Sequence, residues 1–370
     1  FWRRINLPLF DNNRNFIQRA CLYAALYPFN TIIQSVLLIT YLCRYDVFIF
    51  GGGYKFLGHY YERKILKFFG KTIIDVFHGS DSRPPYLNGN FSDISDKRLL
   101  RQTKIIYDRV KSIERYADFI IESPACSQFR QKKYIPYLYM GCPFSLSDND
   151  FVKTEERPII IHAPSKPKIK GSDLVRRTIA KLQKDYDFEY VELVNRPHHE
   201  VIKYIQNCSF VINQMYSDTL MSGLDTEAAW FGKPSIVGGY NLDFVEKTEN
   251  NRPVAPTYRI YPSEKDLEKA IIHLLTDKNY CEKLGRKAQA YVRDNWESKK
   301  VAQKYIDLVN LKTDASVFRD PADDIDITGC GISLDIKRNL ISNYLIKYGD
   351  KALYLNHKPR IKEKLLKCVS

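Results

Sequence analysis

The chain has no CxxC pair. Its eight cysteines stand singly at positions 21, 43, 126, 142, 208, 281, 330 and 368. That scatter excludes a zinc finger or a disulfide framework and reads as reduced, buried thiols of a cytosolic protein. Long apolar runs are also missing: the longest, "TIIQSVLLITYLC" (31–43), is too short to cross a bilayer. A secretory leader is not expected from the first residues, and the chain opens on Phe1 rather than Met, so its natural start is expected upstream. "GGGYKF" (51–56) lacks the GK[ST] ending of a phosphate-binding P-loop and is expected to serve as a tight turn after a strand.

Acidic residues are scarce at both ends. Residues 1–71 hold ten Lys or Arg against three Asp or Glu, and residues 326–370 hold nine against four. The termini therefore carry +7 and +5 of the net +14, and the middle is almost balanced. A nucleic-acid reader would concentrate such charge with aromatics in one module, and no helix-turn-helix, zinc-finger or RNP-like signature occurs. Nucleic acid is excluded as a partner on these grounds. The 26 tyrosines are spread along the chain and are expected in the core and at its rim.

With 370 residues, 43.3 kDa and 44% apolar composition, the chain has room for two cored domains. Short apolar runs alternate with amphipathic stretches. "DVFIFGGG" (46–53), "KTIIDVFHGS" (71–80), "ADFIIESP" (117–124) and "KKYIPYLY" (132–139) read as buried strands, with helices at 59–70 and 97–117 between them. A polar linker with two prolines follows at 141–158. The pattern then restarts: strands at 159–165, 188–195, 210–214 and 234–237, and helices at 172–186, capped by Ser172, at 199–208 and across most of 263–309. Alternation of this kind predicts parallel, doubly wound sheets, and two such halves form a cleft at their strand ends.

"SGLDTEAAWFGKPSIVGG" (222–239) places Glu227 near a predicted helix start, after a glycine turn, with Gly232 and Pro234 ending the helix. A small loop, a helix N-terminus and a carboxylate suit a pocket for phosphates and hydroxyls. His78 closes "IIDVFH" at the carboxyl end of a predicted strand, with Asp81 and Arg83 on the loop beyond. His198 and His199 precede a helix without partners at metal spacing and are expected to be capping or surface groups.

The succession "IIIHAPSKPKIKGSDLV", "EVIKYIQNCSFVINQ" and "GLDTEAAWFGKPSIV", with "GKTIIDVFHGSDSR" and "RYADFIIESP" upstream, resembles retaining GT-B glycosyltransferases of family 4 (group 1) type, in particular capsule and cell-surface polysaccharide members. The resemblance spans about residues 46–310. It implies an α/β fold of GT-B type: two Rossmann-like, doubly wound parallel-sheet domains facing a cleft. The first, 1–145, would bind the acceptor; the second, 146–299, the nucleotide-sugar; helices in 300–370 would return to the first.

The resemblance also implies roles. Lys170 matches the lysine that touches the donor diphosphate. An arginine usual five residues earlier is replaced by Ser165, and Lys166 or Lys168 would substitute for it. Glu227 matches the second acid of a paired motif and would accept from the ribose hydroxyls. The first acid falls on Thr219, and neighbouring Asp218 would face the donor sugar instead. Gly223 and Leu224 would line the donor pocket. His78 would lie over the donor sugar, with Asp81 and Arg83 on the acceptor side.

The implied reaction moves a sugar, with retention, from a nucleotide-sugar donor to a glycan or lipid-linked glycan acceptor. It would need no cofactor and no metal, since lysines and helix dipoles can neutralise the leaving diphosphate. If the basic ends gather on the acceptor side, an anionic membrane surface becomes a further partner of a cytoplasmic, peripheral enzyme. Alternatives are a catalytically silent scaffold acting as a partner subunit, favoured by Thr219 and Ser165, and a sugar-nucleotide epimerase.

Overall fold

A computed structural model describes residues 16–55, 57, 60–136, 141–142, 157–248 and 254–368; the side chains of 16–28 and of residue 248 are outside that description. Most of the expected linker (143–156), the end of the expected strand at 132–139, and Phe56 therefore lie outside the described residues.

The first lobe runs α1 (Phe16–Arg44), β1 (Val47–Gly51), α2 (Tyr61–Phe68), β2 (Thr72–Val76), α3 (Asp96–Tyr116), β3 (Phe119–Glu122) and β4 (Ile135–Pro136). Its four strands are parallel, in the order β1-β2-β3-β4. The second lobe runs β5 (Ile159–His162), α4 (Pro167–Lys170), α5 (Ser172–Leu182), β6 (Glu189–Glu192), α6 (His198–Asn207), β7 (Phe210–Ile212), α7 (Gly223–Trp230), β8 (Ser235–Gly238), α8 (Leu242–Thr248) and β9 (Tyr258–Ile260). Here the five parallel strands are ordered β6-β5-β7-β8-β9. Two all-parallel α/β lobes facing a cleft are the GT-B arrangement.

The strands read as continuous apolar runs because helices cover both faces of each sheet. Ile160, Ile161, Phe210, Val211, Ile212 and Ile236 are all fully buried. One face of the second sheet packs with Val175, Ile179 and Leu267, the other with Ala228, Trp230 and Val292. β9 has no counterpart among the predicted strands. Its three residues lie close to Pro256 and Pro262, and a segment that short carries no readable period.

Three helices, α9 (Glu264–Thr276), α10 (Lys278–Asn295) and α11 (Ser298–Val309), lead back towards the first lobe, where Leu308 packs with Ile74, Ile121 and Ile135. Two further helices, α12 (Leu334–Tyr348) and α13 (Pro359–Lys367), complete the first lobe's core. There Ile341, Tyr344, Leu353 and Ile361 pack with Tyr86, Leu99 and Phe129. Each such buried side chain contributes roughly 1.5–3 kcal/mol. The Tyr86 hydroxyl donates to the Leu353 carbonyl at 2.9 Å, so the phenol is satisfied as well as buried.

Between α11 and α12, the chain threads the seam of the two lobes. Gly89 N donates to Cys330 O at 2.9 Å on the first-lobe side, and Gly331 N donates to Tyr216 O at 2.8 Å on the second. Gly331 takes φ +68°, and a Cβ there would come within 2.4 Å of Ile169. Only glycine fits that passage.

Among the described residues, no helix is long and apolar enough to cross a membrane. The seven cysteines with described side chains are free thiols, and Cys126, Cys142, Cys208 and Cys281 are buried.

Candidate active site in the cleft between the lobes

The carboxyl ends of both sheets point at one cleft of about 400 Å³. From the first lobe come His78 after β2, and Ser123 and Cys126 after β3. From the second come Ser165–Lys166 and Ile169–Lys170 after β5, Gln214 and Asp218–Thr219 after β7, and Ser222–Gly223 at the start of α7. Parallel α/β sheets place ligand sites at that end because the loops there are free of the packing that fixes the strands.

The loop after β5 is pinned from beneath. Lys170 O accepts from Met215 N at 3.0 Å, and the Lys170 ammonium donates to Gln214 Oε1 at 2.6 Å. Gln214 Nε2 donates in turn to Ser217 Oγ at 2.8 Å, and that hydroxyl donates to Thr219 O at 2.8 Å. Burial holds the Lys170 pKa below the usual lysine value; Cys330 and Asp225 oppose that shift. A half-desolvated ammonium of this kind gains more from an arriving anion than a solvated one.

Gly171, at φ +73°, ends α4 and occupies the N-cap position of α5. Ser172, expected as the cap, is the first helical residue instead. The hydroxyl is directed to His162 Nε2 at 2.8 Å. A left-handed glycine has taken the cap position, which turns the serine inward.

Across the cleft, Arg83 pairs with Asp218, their side chains only 5% and 9% exposed. Arg83 Nη2 also lies 3.0 Å from Cys126 Sγ. That sulfur accepts from the guanidinium and donates to Asp218 Oδ2 at 3.4 Å; burial pushes the thiol up to about 12, so it is not a nucleophile there. The ion pair joins the lobes inside the cleft. Two further links lie at its edge: Lys166 Nζ donates to Asn90 Oδ1 at 2.8 Å, and Lys168 pairs with Asp93.

His78, Arg83, Lys166, Lys170, Asp218 and Gly223 thus surround one volume, with Ser165 and Thr219 beside them. Lys168, Asp81, Leu224 and Glu227 do not line it. The Asp81 carboxylate accepts from His78 N at 2.9 and 3.0 Å and so shapes the loop that presents the histidine. Leu224 packs on the second lobe's core. Glu227 lies in the second turn of α7, not the first, because the helix begins at Gly223. Its carboxylate is 2.7 Å from His198 Nε2, so His198 has an acidic partner that its sequence surroundings did not suggest.

The first-turn acid of α7 is Asp225. It closes a capping box with Ser222 and also accepts from Asn213. Burial raises its pKa to about 6, although the Ser222 N–H and the other donors around it act in the opposite direction. The serine-to-acid spacing Ser222–Asp225 was the signal for this residue in the sequence. Gln214 and His162 carried no local motif; the pairing of β5 with β7 brings His162 to Ile212, and Gln214 meets Lys170 from the loop after β7. Among the described residues, no three His, Cys, Asp or Glu side chains gather where they could hold a metal ion.

No protein-family model matches the chain. A stretch of 137 residues is 26% identical to the trehalose synthase of Thermococcus litoralis, covering 36% of this chain and 31% of that protein. Among solved structures, Anabaena HepE in complex with UDP-glucose is similar with a TM-score of 0.46 at 14% identity, over 75% of this chain and 82% of that one. The α,α-trehalose-phosphate synthase (UDP-forming) of Burkholderia xenovorans, in complex with glucose-6-phosphate, gives a TM-score of 0.47 at 8% identity, over 83% and 82%. The match to the curated relative spans under a third of its length.

Proposed function

We propose that the protein is a nucleotide-sugar-dependent glycosyltransferase that works with retention at the anomeric carbon. The observation that carries this reading is the convergence, at the carboxyl ends of two parallel sheets, of Lys170, Lys166 and the start of α7 on one wall with His78 and Arg83 on the other. Lys170 and the backbone N–H of Gly223 at the start of α7 would hold the donor diphosphate and stabilise the charge that develops as the glycosyl bond breaks. His78 and the Arg83–Asp218 pair would meet sugar hydroxyls: the carboxylate accepts, the guanidinium donates.

The charged residues lining the cleft are Arg83, Lys166 and Lys170 against Asp218, an excess of two positive charges that suits a dianionic diphosphate. Partial likeness to a trehalose synthase supports a sugar as substrate. A glycan, free or lipid-linked, is the acceptor in this reading. Glu227 would reach a ribose only by leaving His198, and its side chain, 18% exposed, has solvent on one side to do so.

A thermal-shift panel of UDP-, GDP- and ADP-sugars on the wild type and on Lys170→Ala tests the proposal. One nucleotide class should raise the melting temperature of the wild type and lose most of that effect in the variant. If every sugar nucleotide leaves the wild type unmoved, the reading is wrong.

A further inference from the structure

His162 and Ser172 are both fully buried and take no part in lining the cleft. His162 is the last residue of β5, Ser172 the first of α5, and Ile212 the last of β7. His162 Nδ1 lies 2.8 Å from Ile212 O, and Nε2 lies 2.8 Å from Ser172 Oγ. A carbonyl oxygen can only accept, so Nδ1 carries the proton. Nε2 of the neutral ring is then an acceptor, and the serine hydroxyl donates to it. One imidazole thereby ties the ends of two strands to the first residue of the helix that follows the Lys170–Gly171 step.

We propose that His162 is a positioning residue for the donor loop: as the Nδ1–H tautomer it anchors Ser172, and through it fixes the Lys170–Gly171–Ser172 step that grips the diphosphate. The inference rests on the donor-site reading above and adds to it the residue that keeps the loop in place. Gly171 packs so closely on Met215 that a Cβ would stand 2.8 Å from the Met215 Cβ, and Met215 N donates to Lys170 O at 3.0 Å. A loop released at Ser172 would therefore lift away from the β7 loop, taking the Lys170 carbonyl out of reach of Met215.

Protonation would reverse the second bond: an imidazolium donates from Nε2, and the serine hydroxyl would have to rotate to accept and turn its own hydrogen elsewhere. Burial opposes protonation and lowers the His162 pKa. Of the charged groups facing it, Glu192 at the end of β6 acts the other way, while Arg176 on α5 and Lys170 on α4 reinforce the lowering. Arg176 and Glu192 are paired with each other at 2.7 and 2.9 Å, so their effects on the ring largely cancel.

The test uses the full chain, ring-nitrogen NMR of His162, amide exchange at Met215 and Leu174, and titration with inorganic pyrophosphate. Ser172→Ala removes a single oxygen and leaves Nε2 buried without a partner; Ser172→Thr restores the hydroxyl. The wild-type ring should be the Nδ1–H form. Ser172→Ala should speed exchange at Met215 and weaken pyrophosphate binding by about tenfold each, the cost of one orphaned buried acceptor, and Ser172→Thr should recover both. An Nε2–H tautomer in the wild type, or unchanged exchange in Ser172→Ala, overturns the proposal. Exchange that responds as expected in a protein that binds no pyrophosphate supports the anchor and overturns only the donor reading.

Discussion

Replacing Gly171 by alanine probes the closest backbone packing at the site. The residue sits at φ +73°, which costs an L-residue roughly 1–2 kcal/mol. The new Cβ would also meet Met215 Cβ at 2.8 Å, Met215 Cγ at 3.2 Å and Tyr216 Cε2 at 3.2 Å. Met215 is fully buried and has no room to retreat, so overpacking adds about 1–3 kcal/mol. Gly70 supplies the control: its φ is +68°, yet a Cβ there would meet nothing within 4 Å. Gly70→Ala should cost only the backbone term. The gap between the two variants, about 1–3 kcal/mol, isolates the contact beneath the donor loop. Urea unfolding gives both values from midpoints and slopes. Calorimetric titration with the nucleotide that stabilises the wild type should show weaker binding for Gly171→Ala and no change for Gly70→Ala. Equal stability and equal binding in the two variants would refute the packing argument.

Other outcomes follow from the same geometry. Arg83→Ala strands a buried carboxylate and should destabilise by about 3–5 kcal/mol, with much of the loss recovered in the Arg83→Ala/Asp218→Ala double variant; a double-mutant cycle by urea unfolding measures it, and additive losses would contradict the pairing. Asp225 has a folded pKa raised from 3.8 to about 6, so its contribution to stability is complete below pH 4 and is lost as pH rises through 6, by about 3 kcal/mol. Asp225→Asn should therefore improve relative to wild type between pH 4 and 7 in urea titrations, and a pH-independent difference would contradict the buried, strained carboxylate. Leu353→Ala should cost about 2–5 kcal/mol by opening a cavity where the chain's last helices dock on the first lobe, visible as a lowered unfolding midpoint.

Most of the strands were legible because parallel sheets covered on both faces demand unbroken apolar runs, and "IIIH" and "FVIN" announce themselves. β9 was not, because three residues hold no period. At the site, lysines in a strand-to-helix loop and a histidine at a strand end could be found by position alone. Helix phase was harder. With α7 starting at Gly223, the capping role goes to Asp225, and Glu227, expected near the helix start, falls in the second turn beside His198. Ser172 shows the same limit: its hydroxyl was assigned to the backbone, but a glycine one position earlier changes what it can reach. Contacts such as Lys170 to Gln214 span 44 positions of sequence, and no local pattern encodes them.

The thread at Cys330–Gly331 has a mechanical consequence. It is stitched by main-chain bonds to Leu87 and Gly89 on one side and to Tyr216 on the other, deep in the seam and against Ile169. The other links across the cleft, Arg83–Asp218, Lys166–Asn90 and Lys168–Asp93, are made by side chains that can swap partners, whereas this rivet is made of main chain. A widening that gives up the side-chain pairs and keeps the main-chain stitches would be an arc centred on that rivet, so groups next to it, such as Lys170, would travel least while those at the far rim sweep the longest path.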